Sequence, residues 1–206
     1  MAITSTCTLL GGTLRRPASD LAISAGSAPA GSTYTRMPPA RSTAAARNIG
    51  TARDAFRRLH ESGCFVLANP WDIGGVRRAE QLGYKAIAST SAGFAWSLGR
   101  DDQQVTRDEL VAHVEAIVRA TDLPVNVDSE SCFPREPGGV GETVRRLTRA
   151  GAAGCSIEDF DPVTGKLMDL VAATAAVREA AAAAAEEDVP LVLTARAENY
   201  LYGVSD

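Results

Sequence analysis

The 206-residue sequence predicts an α/β fold of parallel βαβ units, of the (β/α)8 TIM-barrel type with about the first five units present. Short apolar runs alternate with helix-patterned stretches, which is the signature of parallel strands joined by crossover helices. The apolar runs are nearly continuous, as strands covered on both faces require. Polar residues gather at the C-terminal end of one run after another. The first two observations fit an open doubly wound sheet equally well. The third favours the barrel, whose strand ends converge on a single pocket.

The elements follow in order. Residues 1–48 are rich in Ser, Thr, Ala, Gly and Pro, carry Arg15, Arg16, Arg36, Arg41 and Arg47, and have Asp20 as their only acid. No period of either kind is sustained there, so a disordered leader without a catalytic role is expected. Its composition suits either an organelle transit peptide or a start site placed too early. From residue 49 the pattern of one barrel-like domain begins. Ala55–Leu59 reads as a short amphipathic helix, followed by the strand Phe65–Asn69. A helix around Val76–Leu82 stops at Gly83, and Ala86–Thr90 is the second strand. Thr106 with Glu109 forms a capping box for a helix over Arg107–Ala120. Pro124–Val127 leads into Asp128, and a helix over Glu142–Ala150 ends at Gly151. Gly154–Ile157 leads into Glu158, an Ala-rich helix covers about Leu167–Glu187, and Leu191–Ala195 leads into Arg196.

Composition narrows the functional classes. The chain is 45% hydrophobic and 22% charged, ordinary for a globular protein. A net charge of −4 gives no basic surface for nucleic acid or anionic membrane. No apolar run reaches the roughly 20 residues that span a bilayer. Cys7, Cys64, Cys132 and Cys155 are far apart, and three of them adjoin apolar strand-like segments as small buried hydrophobes would. A reducing cytoplasmic setting is expected. The only histidines, His60 and His113, fall in helix-like stretches away from strand ends, so neither a Ser-His-Asp triad nor a His metal site is supported. Gly138–Gly141 lacks the G-K-[ST] ending of a phosphate-binding loop and reads as an ordinary loop.

The chemistry lies at the strand ends. Ser89, Thr90 and Ser91 follow the second strand, Asp128 and Glu130 the third, Glu158 and Asp159 the fourth, Arg196 and Glu198 the fifth. One carboxylate after a strand is commonly a helix cap or a solvated loop residue. Carboxylates on successive strands at one depth suggest a hard cation. Asp128, Glu130 and Glu158 offer only oxygen, which suits Mg²⁺ or Mn²⁺ and not Zn²⁺. Arg196 supplies a bidentate donor for a substrate carboxylate. A 2-oxo acid or its enolate would complete such a site.

The ordered set of segments resembles the isocitrate lyase/phosphoenolpyruvate mutase superfamily. It runs through Asn69-Pro70-Trp71-Asp72-Ile73-Gly74, Ile87–Gly93, Ser97-Leu98-Gly99, Val127-Asp128-Ser129-Glu130, Ile157-Glu158-Asp159 and Ala195-Arg196. The resemblance implies that Asp128 ligates Mg²⁺ directly, while Glu130, Glu158 and Asp102 hold metal-bound waters. It also implies that Thr90 and Ser91 bind the substrate carboxylate, with Arg196 on the substrate and Glu158 and Arg196 as the catalytic pair. The implied chemistry makes or breaks a C–C or P–C bond beside a small 2-oxo or 2-hydroxy carboxylate. The expected partners are that substrate and, in a homo-oligomer, further copies of the chain.

Three departures mark the branch. Isocitrate and methylisocitrate lyases carry a K-[KR]-C-G-H loop after the Glu-Asp pair; here Phe160–Lys166 has neither cysteine nor histidine, which argues against those two activities. Lys166 is the only acid-base candidate nearby and reads more simply as a solvated turn residue. Relatives continue the metal motif as D-x-E-x-G-[FY]-G, whereas Cys132 and Pro134 stand at both glycine positions and should restrict the loop. Finally, five strands leave a barrel edge unpaired. The alternative expectation is therefore a truncated, catalytically inactive relative.

Overall fold

The protein is described by a computed structural model over residues 3–7, for which the backbone alone is considered, and 49–205. The expectation of a disordered leader over residues 1–48 lies outside the described residues except at Ile3–Cys7, which form a strand.

Eight strands and six helices alternate along the described chain. Strand β1 (Ile3–Cys7) is followed by α1 (Ile49–Leu59), β2 (Cys64–Ala68), α2 (Ile73–Gln81), β3 (Ile87–Ala88) and α3 (Ser91–Ser97). Then come α4 (Arg107–Ala120), β4 (Val125–Asp128), α5 (Gly139–Arg149) and β5 (Gly154–Glu158). A small hairpin of β6 (Phe160–Asp161) and β7 (Lys166–Leu167) precedes α6 (Leu170–Ala184) and β8 (Val192–Arg196). The main sheet has the order β1-β2-β3-β4-β5-β8. Its five strands β2, β3, β4, β5 and β8 are parallel and consecutive, a curled half-barrel. Strand β1 adds an antiparallel edge, Ile3 opposite Ala68 and Cys7 opposite Cys64. No strand was expected there, because Ile3–Cys7 alone is too short and too polar to announce one.

Period-two alternation divides the sheet's side chains between two cores. On the outer face Ala68, Ile87, Val125, Val127, Cys155 and Ile157 pack under the helices with Val114, Ile117, Val144 and Leu147. On the inner face Leu67, Ala86, Ala88 and Ala153 surround Phe56. Helix α1 brings Phe56 to the N-terminal end of the barrel. It is fastened there by the buried Arg53, which donates to the carbonyls of Ala152 (3.2 Å), Thr148 (2.8 Å) and Val189 (3.4 Å). A Cβ at Gly154 would lie 2.6 Å from Phe56 Cε1 and 2.6 Å from Asn126 Oδ1. Glycine is thus the residue that lets the Phe56 ring enter the barrel floor.

Local signals act as the sequence implies at several ends. The Thr106–Glu109 capping box is present in both directions. Helix α5 corrects the reading of Gly138–Gly141 as a loop: Gly138 takes φ 80° at the cap and the helix begins at Gly139. Helix α3 was not anticipated; Thr90 caps it by accepting from Gly93 N–H at 3.2 Å. Its seven residues are too few for a period to show. Cys132 and Cys155 are buried as expected, but Cys64 is exposed at the start of β2. Among the described residues no helix is long and apolar enough to cross a membrane.

Candidate active site

A cavity of about 380 Å³ opens inside the half-barrel, from Phe56 at its floor to Asp102 and Tyr202 at its mouth. Register places its polar residues in tiers. Asn126 pairs with Gly154, Asp128 with Ser156, Ser156 with Thr194, and Glu158 with Arg196. Each strand thereby presents its last inward side chain at the C-terminal rim, where a barrel carries its chemistry.

Asp128, Glu158 and Arg196 come together as the sequence predicts. Arg196 Nη1 lies 3.1 Å from Asp128 Oδ1 and 2.7 Å from Glu158 Oε1, and its Nη2 lies 2.7 Å from Glu198 Oε1. One guanidinium therefore spans three carboxylates, two of them nearly buried. Burial opposes its charge, but Glu158, Asp128 and Glu198 outweigh that and raise its pKa. Asp128 is held from the other side by Ser91, whose N–H and Oγ both donate to Oδ2 at 2.9 Å. Its own N–H donates to Ser89 Oγ at 2.9 Å.

The remaining predicted residues are placed less uniformly. Thr90 and Ser91 line the cavity, but the N–H of Ser91 is directed at Asp128 and the oxygen of Thr90 at the α3 cap. Glu130 is buried outside the cavity lining, with φ 51°. Burial first, then the charges of Asp102, Glu158 and Asp128, push its carboxyl up to about 8. Glu158 is pushed up to about 7 by burial, with Arg196 opposing and Asp128, Glu198 and Asp102 adding repulsion. Asp102 stands exposed at the mouth, its carboxylate accepting from Gln103 N–H at 3.0 Å. Lys166 is exposed in β7, in accord with a solvated residue.

The loop after Glu130 adopts the backbone that glycine would favour, without glycine. Cys132 has φ 58° and Phe133 φ 51°, so the expected restriction at Cys132 does not prevent a left-handed turn. Cys132 is fully buried, with Sγ 3.3 Å from Ser129 Oγ, and Phe133 packs against the outer core. These contacts hold a conformation that costs a non-glycine residue about 1 kcal/mol.

Glu198, read from the sequence as a polar residue at the end of the fifth strand, completes the Arg196 cluster, and its N–H donates to Asp159 Oδ1 at 2.9 Å, tying the ends of β5 and β8 together. Other residues of the site were given no role from the sequence. Tyr202 lines the cavity and stacks on Phe160 at 4.5 Å. Asn69, Asn126, Gln103 and Thr194 also face it. His60, though beyond the end of α1, lines the floor and bonds Phe56 O through Nδ1 at 2.8 Å. Asn126 and Thr194 were legible as the inward positions two before Asp128 and Arg196, whereas Gln103 and Tyr202 depend on loops whose path no periodicity encodes.

Among the described residues no three carboxylate, imidazole or thiol groups form a direct cage for a metal. The donors instead suit a hydrated cation. They are all oxygen, burial and neighbouring carboxylates push Glu130 and Glu158 up with Arg196 opposing only at Glu158, and the carbonyl oxygen of Gln103 beside them is buried without a partner.

A parallel half-barrel whose rim gathers an aspartate, glutamates and an arginine places the chain among α/β-barrel proteins. The phosphoenolpyruvate phosphomutase family pattern matches residues 56–206, and the chain belongs to that family. It is 35% identical over 167 residues to the oxaloacetate decarboxylase of Paraburkholderia xenovorans, covering 76% of this chain and 55% of that protein. It is 36% identical over 83 residues to the 2-methylisocitrate lyase of Escherichia coli, 39% of this chain and 28% of that one. A solved 2,3-dimethylmalate lyase of the PEP mutase/isocitrate lyase superfamily superposes with a TM-score of 0.66 at 27% identity, covering 73% of this chain and 54% of the other. The chain spans about half the length of the first of these curated relatives.

Proposed function

We propose that the site belongs to a Mg²⁺-dependent lyase, mutase or hydrolase that makes or breaks a C–C or P–C bond beside a small 2-oxo or 2-hydroxy carboxylate. The observation that carries this reading is the single Arg196 guanidinium shared by Asp128, Glu158 and Glu198 at the rim of adjacent strands. The relatives named above, an oxaloacetate decarboxylase and two lyases, support a carboxylate substrate with a cleavable carbon–carbon bond. The hairpin after Asp159 has no thiol or imidazole, which supports a branch distinct from the cysteine-loop lyases.

Asp128 and Glu158 would face the cation, Glu130 and Asp102 would act on its waters, and Mn²⁺ would substitute for Mg²⁺. A bound divalent cation would stabilise negative charge developing on the substrate's 2-oxygen. The chain's own part is binding and orientation. Arg196 would turn its guanidinium from the carboxylates that share it to a substrate carboxylate, and the Thr90 hydroxyl, whose oxygen accepts from Gly93, keeps its proton for the substrate while Ser91 holds Asp128. Phe56, Leu67 and Ala88 give the cavity an apolar floor. Such a floor strengthens the electrostatics at the rim. We place this enzyme in the cytoplasm, acting on a free small carboxylate, alone or as a homo-oligomer.

Thermal melting in EDTA and in Mg²⁺ tests the cation half of this reading. The wild-type chain should melt several degrees higher with Mg²⁺, and Asp128→Asn should lose that increment. An equal Mg²⁺ response in both would overturn it. A chain that melts cooperatively with no Mg²⁺ response would instead fit a catalytically silent relative.

A further inference from the structure

The loop between α3 and α4 carries a residue whose side chain is aimed at the carboxylates although nothing in the motif calls for it. Gln103 has φ 66°, a left-handed conformation that a non-glycine residue adopts at a cost of about 1 kcal/mol. The turn leaves Asp102 exposed, with its carboxylate closed onto Gln103 N–H, and leaves Gln103 half-buried against the cavity. Gln103 Nε2 points to Glu158 Oε2 at 3.5 Å. Its Oε1 is buried and accepts nothing from the protein. A buried carbonyl oxygen without a donor costs about 1–3 kcal/mol. The strained backbone and the orphaned acceptor thus fall on the same residue.

The chemistry of the missing donor follows from its surroundings. With Glu158 ionised, as a bound cation would keep it, reversing the amide would set its oxygen against Glu158 Oε2, acceptor to acceptor, so the oxygen stays turned away from Glu158 and open to another donor. A water on a divalent cation has its lone pair committed to the metal and offers only protons. It is the donor that such an acceptor fits, beside carboxylates that want the same cation.

We propose that Gln103 is a positioning residue of the site, holding Glu158 through its amide N–H and accepting a hydrogen bond from a cation-bound water through Oε1. The role rests on the divalent-cation reading given above, and it adds a second residue of the same loop beside Asp102.

Calorimetric titration of the purified full chain with Mn²⁺, with melting curves taken alongside, separates the two claims. Gln103→Met keeps the bulk without the acceptor and should weaken Mn²⁺ binding about 10-fold. Gln103→Gly should weaken it to a similar extent while melting no lower than wild type in EDTA, because its backbone is relaxed at positive φ. Gln103→Glu, which restores an acceptor, should bind within about threefold of wild type. The exposed neighbour changed as Gln104→Met should leave binding unaltered. Wild-type affinity in Gln103→Met and Gln103→Gly, with binding lost in Asp128→Asn, would overturn the role of Gln103 and leave the cation reading standing. No Mn²⁺ binding by wild type would overturn both.

Discussion

Glu158 and Arg196 are direct register partners on β5 and β8, and their side chains meet at 2.7 Å on the cavity side of the sheet. The pairing is set by the parallel ladder itself, since each residue ends its strand and each faces inward. Two further carboxylates, Asp128 and Glu198, complete the ring around the same guanidinium. Without Arg196 three negative groups would converge with no cation among them.

Removing that charge should therefore destabilise the metal-free chain. Arg196→Met is expected to cost about 2 kcal/mol in urea unfolding at pH 8 in EDTA, at the low end for a broken buried pair because the guanidinium is partly exposed. Arg196→Lys should recover part of the loss, retaining charge but not the fork that spans three acceptors. Unchanged stability in Arg196→Met would show that the ring is solvent-screened.

The raised carboxyls fix the sign of the pH response. Glu130 is pushed up to about 8 and Glu158 to about 7, both above the ordinary glutamate value of 4.5. Between 4.5 and 8 the native chain holds more protons than the unfolded one, so stability falls as pH rises through that window. In EDTA the melting temperature should be higher near pH 5 than near pH 8, and Glu130→Gln should flatten the difference. Mg²⁺ at pH 8 should oppose the loss, because a cation favours the ionised forms. A metal-free melting temperature that rises from pH 5 to pH 8 would contradict the electrostatics of the site.

The barrel floor yields a packing prediction. Gly154→Ala places a methyl 2.6 Å from both Phe56 Cε1 and Asn126 Oδ1, and 2.9 Å from Val192 O. Overpacking of this kind costs about 1–3 kcal/mol. Denaturant melts should show that loss, and Phe56→Ala combined with Gly154→Ala should show a non-additive recovery.

Most of the fold was legible because it rests on long, repeated signals. The apolar positions of β4, β5 and β8, the capping box at Thr106 and the strand-end placement of Asp128, Glu158 and Arg196 all follow from periodicity and register. What escaped lies where neither operates. Helix α3 has seven residues, and β6 and β7 have two each. The left-handed turn at Cys132 and Phe133 is imposed by packing on the outer core, which overrides their local preference. Gln103 and Tyr202 enter the site from loops, so only the folded chain reveals that they face it.

The central claim is that Asp128 anchors a divalent cation for cleavage beside a small carboxylate. Its most direct test is turnover of a panel of 2-oxo and 2-hydroxy dicarboxylates, oxaloacetate included, by the full chain with EDTA and then with excess Mg²⁺. The account predicts turnover of at least one panel member that vanishes in EDTA, returns with Mg²⁺ and falls at least about 100-fold in Asp128→Asn. Turnover that persists in EDTA, or that Asp128→Asn retains in full, would contradict it.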